Sequence, residues 1–241
     1  MNEASKEFLS NQRVLIVSPH SDDEAFGCAG TMSRIKDLGG EVYVMLMSIG
    51  DLEQFKEDDS MVDMSTRKKE FIDEMEFLGV DDYDIIFEDS EKHLRLDRMS
   101  RRDLIAHIET ESKISLENLQ PSMLLLPSIS YNQDHEATFR AGFTAARPGL
   151  EDVKHMPPYV LSYDNPTHFW NVEREKFHPN FYVDISEHWE TKVEALKKHD
   201  SQLRPSEHFL SLDTMLHLSK LRGREIGADA AEAYMCLRFV L

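Results

Sequence analysis

Residues 13–24 read Arg13-Val14-Leu15-Ile16-Val17-Ser18-Pro19-His20-Ser21-Asp22-Asp23-Glu24. The apolar, largely β-branched run up to Ser18 is a strand, and Pro19 ends it because proline brings no N–H to a ladder. Helical periodicity follows over about residues 28–38 and stops at Gly39-Gly40. A second apolar run over 41–47 then reads as another strand. Strand, helix and strand in this order form a βαβ unit, which implies parallel pairing. A charged amphipathic helix within 61–78, ended by Gly79, and a strand at 83–87 extend the alternation. Ser100 is placed to cap a helix to about 113, and Met123-Leu124-Leu125-Leu126 has the unbroken apolar character of a central strand buried on both faces. The expected fold is α/β: a Rossmann-like, mostly parallel sheet with helices on both faces, in a single domain covering residues 1–241.

Downstream the pattern loosens. Strands are expected at 159–163, 181–184 and 231–240. A helix from a Ser186 cap to about 199, another over 213–222, and one from about 136 to 146 complete the reading. The segment containing Pro166, Phe169, Trp170 and Pro179 reads equally as the wall of a pocket or as an irregular packed loop. Glu53, Glu57, Asp58 and Asp59 read as a solvated loop. The chain carries 27 basic and 45 acidic residues for a net charge of −18, which repels a phosphate backbone and sets nucleic acid aside as a partner. No apolar run approaches the ~20 residues of a membrane span. The polar stretch 1–13 lacks the apolar core of a secretory signal. With Cys28 and Cys236 as the whole cysteine content, a reduced, cytoplasmic setting is expected.

Chemistry concentrates behind the first strand. His20 and Asp23 stand at the carboxyl edge of a parallel sheet, where open α/β folds bind ligands. An imidazole and a carboxylate suit Zn²⁺, and a catalytic zinc needs a third protein ligand and an open position. The loop after the strand at 123–126 supplies His135 at a second strand-to-helix junction, giving a two-His, one-carboxylate set of His20, Asp23 and His135. The same donors suit Fe²⁺. An acidic Mg²⁺ pocket of a receiver-like regulatory domain is the rival reading of Asp22-Asp23. It requires a lysine at a later strand end, and Leu126 is followed by Pro127 and Ser128 instead.

The segment Pro19-His20-Ser21-Asp22-Asp23-Glu24, with Gly27-Cys28-Ala29-Gly30-Thr31 behind it, resembles the (A/P)HPDDE signature of the PIG-L (LmbE-like) zinc-dependent N-deacetylases. Asn132-Gln133-Asp134-His135 resembles that family's H-x-D-H motif, and Arg67 to Glu70 with Leu78-Gly79-Val80 its RxxE helix. His199-Asp200-Ser201-Gln202 and Arg222-Gly223 with Ala231-Glu232-Ala233-Tyr234 resemble its later segments. The resemblance implies removal of an N-acetyl group from an amino sugar or its conjugate, a small-molecule substrate met without a membrane. It makes Asp22 the general base, Asp134 the partner that orients a ligand histidine or else a helix cap, and Arg67 a contact to sugar hydroxyls. Glu24 reads as structural. Two departures stand out: Ser21 replaces the signature proline, and Asn132 replaces the first histidine of H-x-D-H. Asn132 is therefore expected to stabilise the oxyanion through its amide. A catalytically inactive sugar-binding member of the same fold is the alternative.

Overall fold

The computed structural model describes residues 3–53, 61–150, 152–165 and 177–241; Glu57, Asp58, Asp59, Pro166, Phe169 and Trp170 lie outside them. The first half runs α1 (Glu3–Ser10), β1 (Arg13–Ser18), α2 (Asp23–Asp37), β2 (Glu41–Ile49), β3 (Leu52–Glu53), β4 (Met61–Val62), α3 (Met64–Leu78), β5 (Asp82–Glu88), α4 (Arg101–Ala106) and α5 (Leu116–Leu119). The second runs β6 (Met123–Pro127), α6 (Gln133–Ala145), β7 (Tyr159–Tyr163), β8 (Phe181–Asp184), α7 (Trp189–Lys198), α8 (Leu212–Ile226) and β9 (Ala231–Phe239). Seven strands form one sheet in the order β5-β2-β1-β6-β7-β9-β8, with β3 and β4 pairing separately. Pairing is parallel from β5 through β7, and β9 runs antiparallel to both β7 and β8. The expected α/β, mostly parallel architecture is the observed one.

Successive residues of a strand face opposite ways, and β1 shows the result. Val14 and Ile16 pack with Cys28, Met32 and Ile35 of α2, Phe71 and Met75 of α3, and Ala195 of α7. Leu15 and Val17 join the opposite cluster with Leu104 of α4, Leu116 of α5, and Phe139 and Ala141 of α6. Both faces are covered, which explains the unbroken apolar runs Val14–Val17 in β1 and Met123–Leu126 in β6. From β1 the chain winds toward β5 in one direction and, through β6 to β7, in the other. This places a topological switch point between β1 and β6, and their carboxyl ends part there to open a crevice. Receiver domains have the different order 2-1-3-4-5, so the topology removes that rival reading.

Local differences from the sequence reading have local causes. Helix α2 begins at Asp23, not near Cys28, so the acidic residues belong to its first turn, where carboxylates meet the helix dipole favourably. The helix expected over 100–113 divides into α4 and a π-helical turn at His107–Glu111, and Ser100 makes no capping bond through its side chain. Ser186 is likewise no cap: its hydroxyl donates to Asp184 Oδ1 at 2.6 Å, and a single 3₁₀ turn precedes α7. Residues 61 and 62 belong to β4, because Asp63 caps α3 by accepting from Thr66 N–H.

Lys192 of α7 is completely buried. Its Nζ donates to Phe26 O at 2.7 Å and to Glu232 Oε1 at 2.5 Å. Glu232 in turn accepts the Gly30 and Thr31 amides of α2 at 3.0 and 2.7 Å. The ion pair thus ties α2, and with it the loop of the signature, to α7 and β9. Lys192→Met strands the buried Glu232 carboxylate and should cost about 3–5 kcal/mol. A thermal melt should show the midpoint falling by about 6–20 °C for a chain of this size, and a shift under about 2 °C would refute the role of the pair.

Candidate metal centre

Strand β1 ends at Ser18, and the turn behind it brings His20 over the first turn of α2. His20 Nδ1 lies 3.2 Å from Asp23 Oδ2, and the same oxygen accepts the His20 backbone N–H at 3.2 Å. His135, on the first turn of α6 behind β6, brings Nε2 to 3.2 Å from that oxygen. One nitrogen from each imidazole and one oxygen of Asp23 therefore converge, all within 4.8 Å of one another and all on buried side chains. His135 Nδ1 is buried without a partner among the described residues. Two neutral imidazoles and a carboxylate at this spacing fit a divalent cation of the zinc or iron type. Burial opposes charge on His20, but its hydrogen bonds to Asp134 and Asp23 hold its pKa up to about 9. Burial pushes Asp23 the other way, yet the two imidazoles beside it bring it well below the usual carboxylate range. The pocket is thus one in which positive charge is wanted among these three groups.

The remaining expected residues fall around this set. Asp134 Oδ2 lies 3.1 Å from His20 Nε2, and Oδ1 accepts the Leu96 N–H at 2.9 Å. Asp134 is not the cap of α6, which is Asn132, and its carboxylate meets His20 instead. Asn132 Oδ1 accepts the Asp134 N–H at 3.0 Å, which leaves its Nδ2 amide without a partner among the described residues. Asp22 precedes α2 without making a capping bond. Burial and the neighbouring Asp23 raise its pKa, against the pull of His199, Arg67 and His20. Arg67, 2% exposed, donates through Nη1 to Gly50 O at 3.1 Å and to His93 Nε2 at 2.6 Å, while its Nε has no partner among the described residues.

Glu24 is wholly buried and touches Ser18 Oγ. That hydroxyl has one proton and donates it to His20 O at 2.7 Å, so Glu24 must be the donor in its bond to Ser18. Burial and the charge of Glu74 raise the Glu24 pKa well above normal, in keeping with a neutral acid. Beside it His199 Nε2 pairs with Glu74 Oε2 at 2.8 Å, away from the metal-binding set. Glu24, Glu74 and His199 also come within 4.8 Å, but a protonated Glu24 beside a Glu74–His199 ion pair balances their charge without a cation.

Two residues absent from the sequence reading belong to the site. His93, in the loop behind β5, sets its ring edge-on to His20 at 5.2 Å between centroids. Arginine can only donate, so the bond from Arg67 requires an unprotonated His93 Nε2. The ring proton is then on Nδ1 and is donated to Ser48 Oγ at 3.2 Å; Ser48 Oγ in turn lies 3.3 Å from Pro19 O. Burial, with the charges of His20 and Arg67, lowers the His93 pKa to about 2. Asn165, just past β7, donates from Nδ2 to Asp23 Oδ1 at 2.7 Å. Each follows the end of a parallel strand at the same sheet edge as His20, the positional signal by which either could have been found. Nitrogen-15 NMR should show His93 neutral and protonated at Nδ1 between about pH 5 and 8; an imidazolium, or a proton on Nε2, would break the proposed bond order.

The PIG-L family model, described as GlcNAc-PI de-N-acetylase, matches residues 15–146. The chain is 28% identical over 206 residues to diacetylchitobiose deacetylase of Thermococcus kodakarensis, covering 81% of this chain and 72% of that protein. It is 27% identical over 209 residues to a probable N-acetyl-α-D-glucosaminyl L-malate deacetylase 2 of Bacillus anthracis, covering 80% and 83%. Among solved structures, the conserved protein TT1542 from Thermus thermophilus superposes with a TM-score of 0.72 over 95% of this chain and 96% of that one, at 21% identity.

Proposed function

The chain belongs to the PIG-L family, and from that premise we propose that it is a metal-dependent deacetylase that hydrolyses the N-acetyl group of an amino sugar or its conjugate. The observation that carries the reading is the convergence of His20 Nδ1, Asp23 Oδ2 and His135 Nε2 at the switch point of the sheet. Zn²⁺ is the proposed ion, with Fe²⁺ served by the same donors. When bound, it supplies Lewis acidity toward the acetyl carbonyl and acidifies the attacking water. The two relatives named as sugar deacetylases support the substrate class. Among the described residues no helix is long and apolar enough to cross a membrane. With both cysteines free, we place the reaction on a water-soluble substrate in the cytoplasm.

Each neighbouring side chain then has a task. Asp22, beside Asp23 and not committed as a helix cap, takes a proton from the attacking water and delivers it to the departing amine. The reaction balances as amide plus water giving acetate plus the protonated amine. Asp134 holds His20 by Nε2 and so presents Nδ1 to the cation, a common arrangement for ligand histidines. Asn132, its oxygen fixed by the cap of α6, offers Nδ2 to the oxyanion formed on the acetyl carbonyl. Arg67 has one Nη bound by Gly50 and His93, so its contact to a sugar hydroxyl falls to Nη2.

An acetate-release assay over N-acetylated amino sugars and their conjugates, with metal-reconstituted protein, tests the activity; absence of acetate throughout the panel refutes it. Asp22→Asn should retain the metal while turnover falls about 10²–10⁴-fold, and near-normal turnover would move the base elsewhere. Asn132→Ala should lower turnover by about 10²–10³, the usual worth of one oxyanion donor, again with metal retained. Unchanged turnover would leave the oxyanion to the cation alone.

A further inference from the structure

The carboxylate of Asp23 has two oxygens, and the structure treats them differently. Oδ2 faces His20 Nδ1 and His135 Nε2, both at 3.2 Å, and accepts the His20 backbone N–H. Oδ1 takes the Asn165 Nδ2 amide at 2.7 Å, a shorter contact than any made by Oδ2. We propose that Asn165 is a positioning residue that makes Asp23 a one-oxygen ligand by tying Oδ1 away from the cation. The proposal rests on the metal-dependent reading above and adds to it the residue that fixes the coordination number.

A carboxylate can offer a metal one oxygen or two. A second oxygen would occupy the position that a hydrolytic centre keeps for water, and catalytic zinc sites are built on three protein donors with that position open. His20 and His135 contribute one nitrogen each, so the open position depends on Asp23 withholding Oδ1. Asn165 achieves this as a neutral donor: its amide satisfies the lone pairs of Oδ1 in a buried setting where an unmet carboxylate oxygen is costly. An aspartate in its place would have no proton to give and would add a like charge.

Asn165 is rigidly mounted, which a positioning role requires. It is 1% exposed and directly follows Asp164, whose backbone N–H donates to Ala233 O of β9 at 3.1 Å. Asp164 Oδ2 receives both Nε and Nη2 of Arg222 from α8 at 2.9 Å. Before it, the Tyr163 ring occupies the space that a side chain on Gly27 would fill. The absence of a Cβ there lets α2 lie directly on the end of β7, and Asp23 thereby comes within reach of Asn165. The C-terminal third of the chain thus meets the Asp23 carboxylate itself through the Asn165 amide.

The test is metal affinity in the intact chain, measured without substrate. Metal-free wild type, Asn165→Ala, Asn165→Leu and His135→Ala are titrated with Zn²⁺ against a chelator of known affinity. Loss of a hydrogen bond to a metal ligand typically weakens binding about 10–100-fold, and both Asn165 variants should show this at unchanged stoichiometry. Leucine fills nearly the asparagine volume without a donor, so agreement between the two separates the lost bond from a cavity. Melts of the metal-free proteins check that both remain folded. In the cobalt-loaded proteins, the visible bands should be weaker in both variants than in wild type, as the released Oδ1 raises the coordination number. Affinities within about twofold of wild type and an unchanged cobalt spectrum would overturn the role of Asn165. If wild type binds no more tightly than His135→Ala, the metal centre itself fails, and the role of Asn165 goes with it.

Discussion

A carboxylate removed from water must be met by donors or cations on every side, and the Asp23 carboxylate is the group on which the rest of this structure closes. Its partners come from three strand ends: His20 behind β1, His135 behind β6 and Asn165 behind β7. Of the three, only His20 is near Asp23 in sequence. Only the parallel sheet, with β1, β6 and β7 as neighbours in register, brings the three loops to one edge. The fold is therefore a requirement of the site: moving any of these strands would leave a buried charge unmet.

A second layer supports the first, and it is built largely from neutral or balanced groups. Glu24 as a neutral acid, Ser18 and the His20 carbonyl form one hydrogen-bonded chain. Arg67, neutral His93, Ser48 and the Pro19 carbonyl form another. Both chains terminate on the backbone of residues 19 and 20, so the loop carrying His20 is held from two sides by donors whose order is fixed. The Lys192–Glu232 pair does the same for α2 from beneath. Such arrangements hold a ligand set in place before any cation arrives, which lowers the ordering cost that binding must overcome.

Much of this was legible in the sequence because the relevant signals are local. The run Val14 to Ser18 followed by Pro19 announces a strand and its end, and Leu124 to Leu126 announces a buried central strand. The ligand-type residues His20, Asp23 and His135 stand immediately behind these two strands. Where the reading failed, the cause was a long-range partner. The sequence places the start of α2 late because aspartate has poor intrinsic helix propensity, and the contacts that hold Asp23 come from His135 behind β6 and Asn165 behind β7. The burial of Lys192 has no local signal, because its counter-charge, Glu232, is forty positions away. His93 and Asn165 sit in no periodic segment; only knowledge that β5 and β7 run parallel to β1 tells that their loops reach the same edge.

Asn132, the departure from the family motif, is oriented by the fold. An asparagine side chain has one acceptor end and one donor end, and nothing about an isolated amide decides which way each points. Here the cap of α6 decides it: the Asp134 N–H requires an acceptor, so Oδ1 must face the helix and Nδ2 must face away from it. The helix start that carries His135 thereby orients a neutral donor three residues upstream, with no reorganisation left for the moment of reaction. What the amide cannot do is exchange a proton, as a histidine in that place could. In the proposed reaction that proton traffic falls to Asp22, which does not cap α2, and activation of water and protonation of the amine then depend on that single carboxylate.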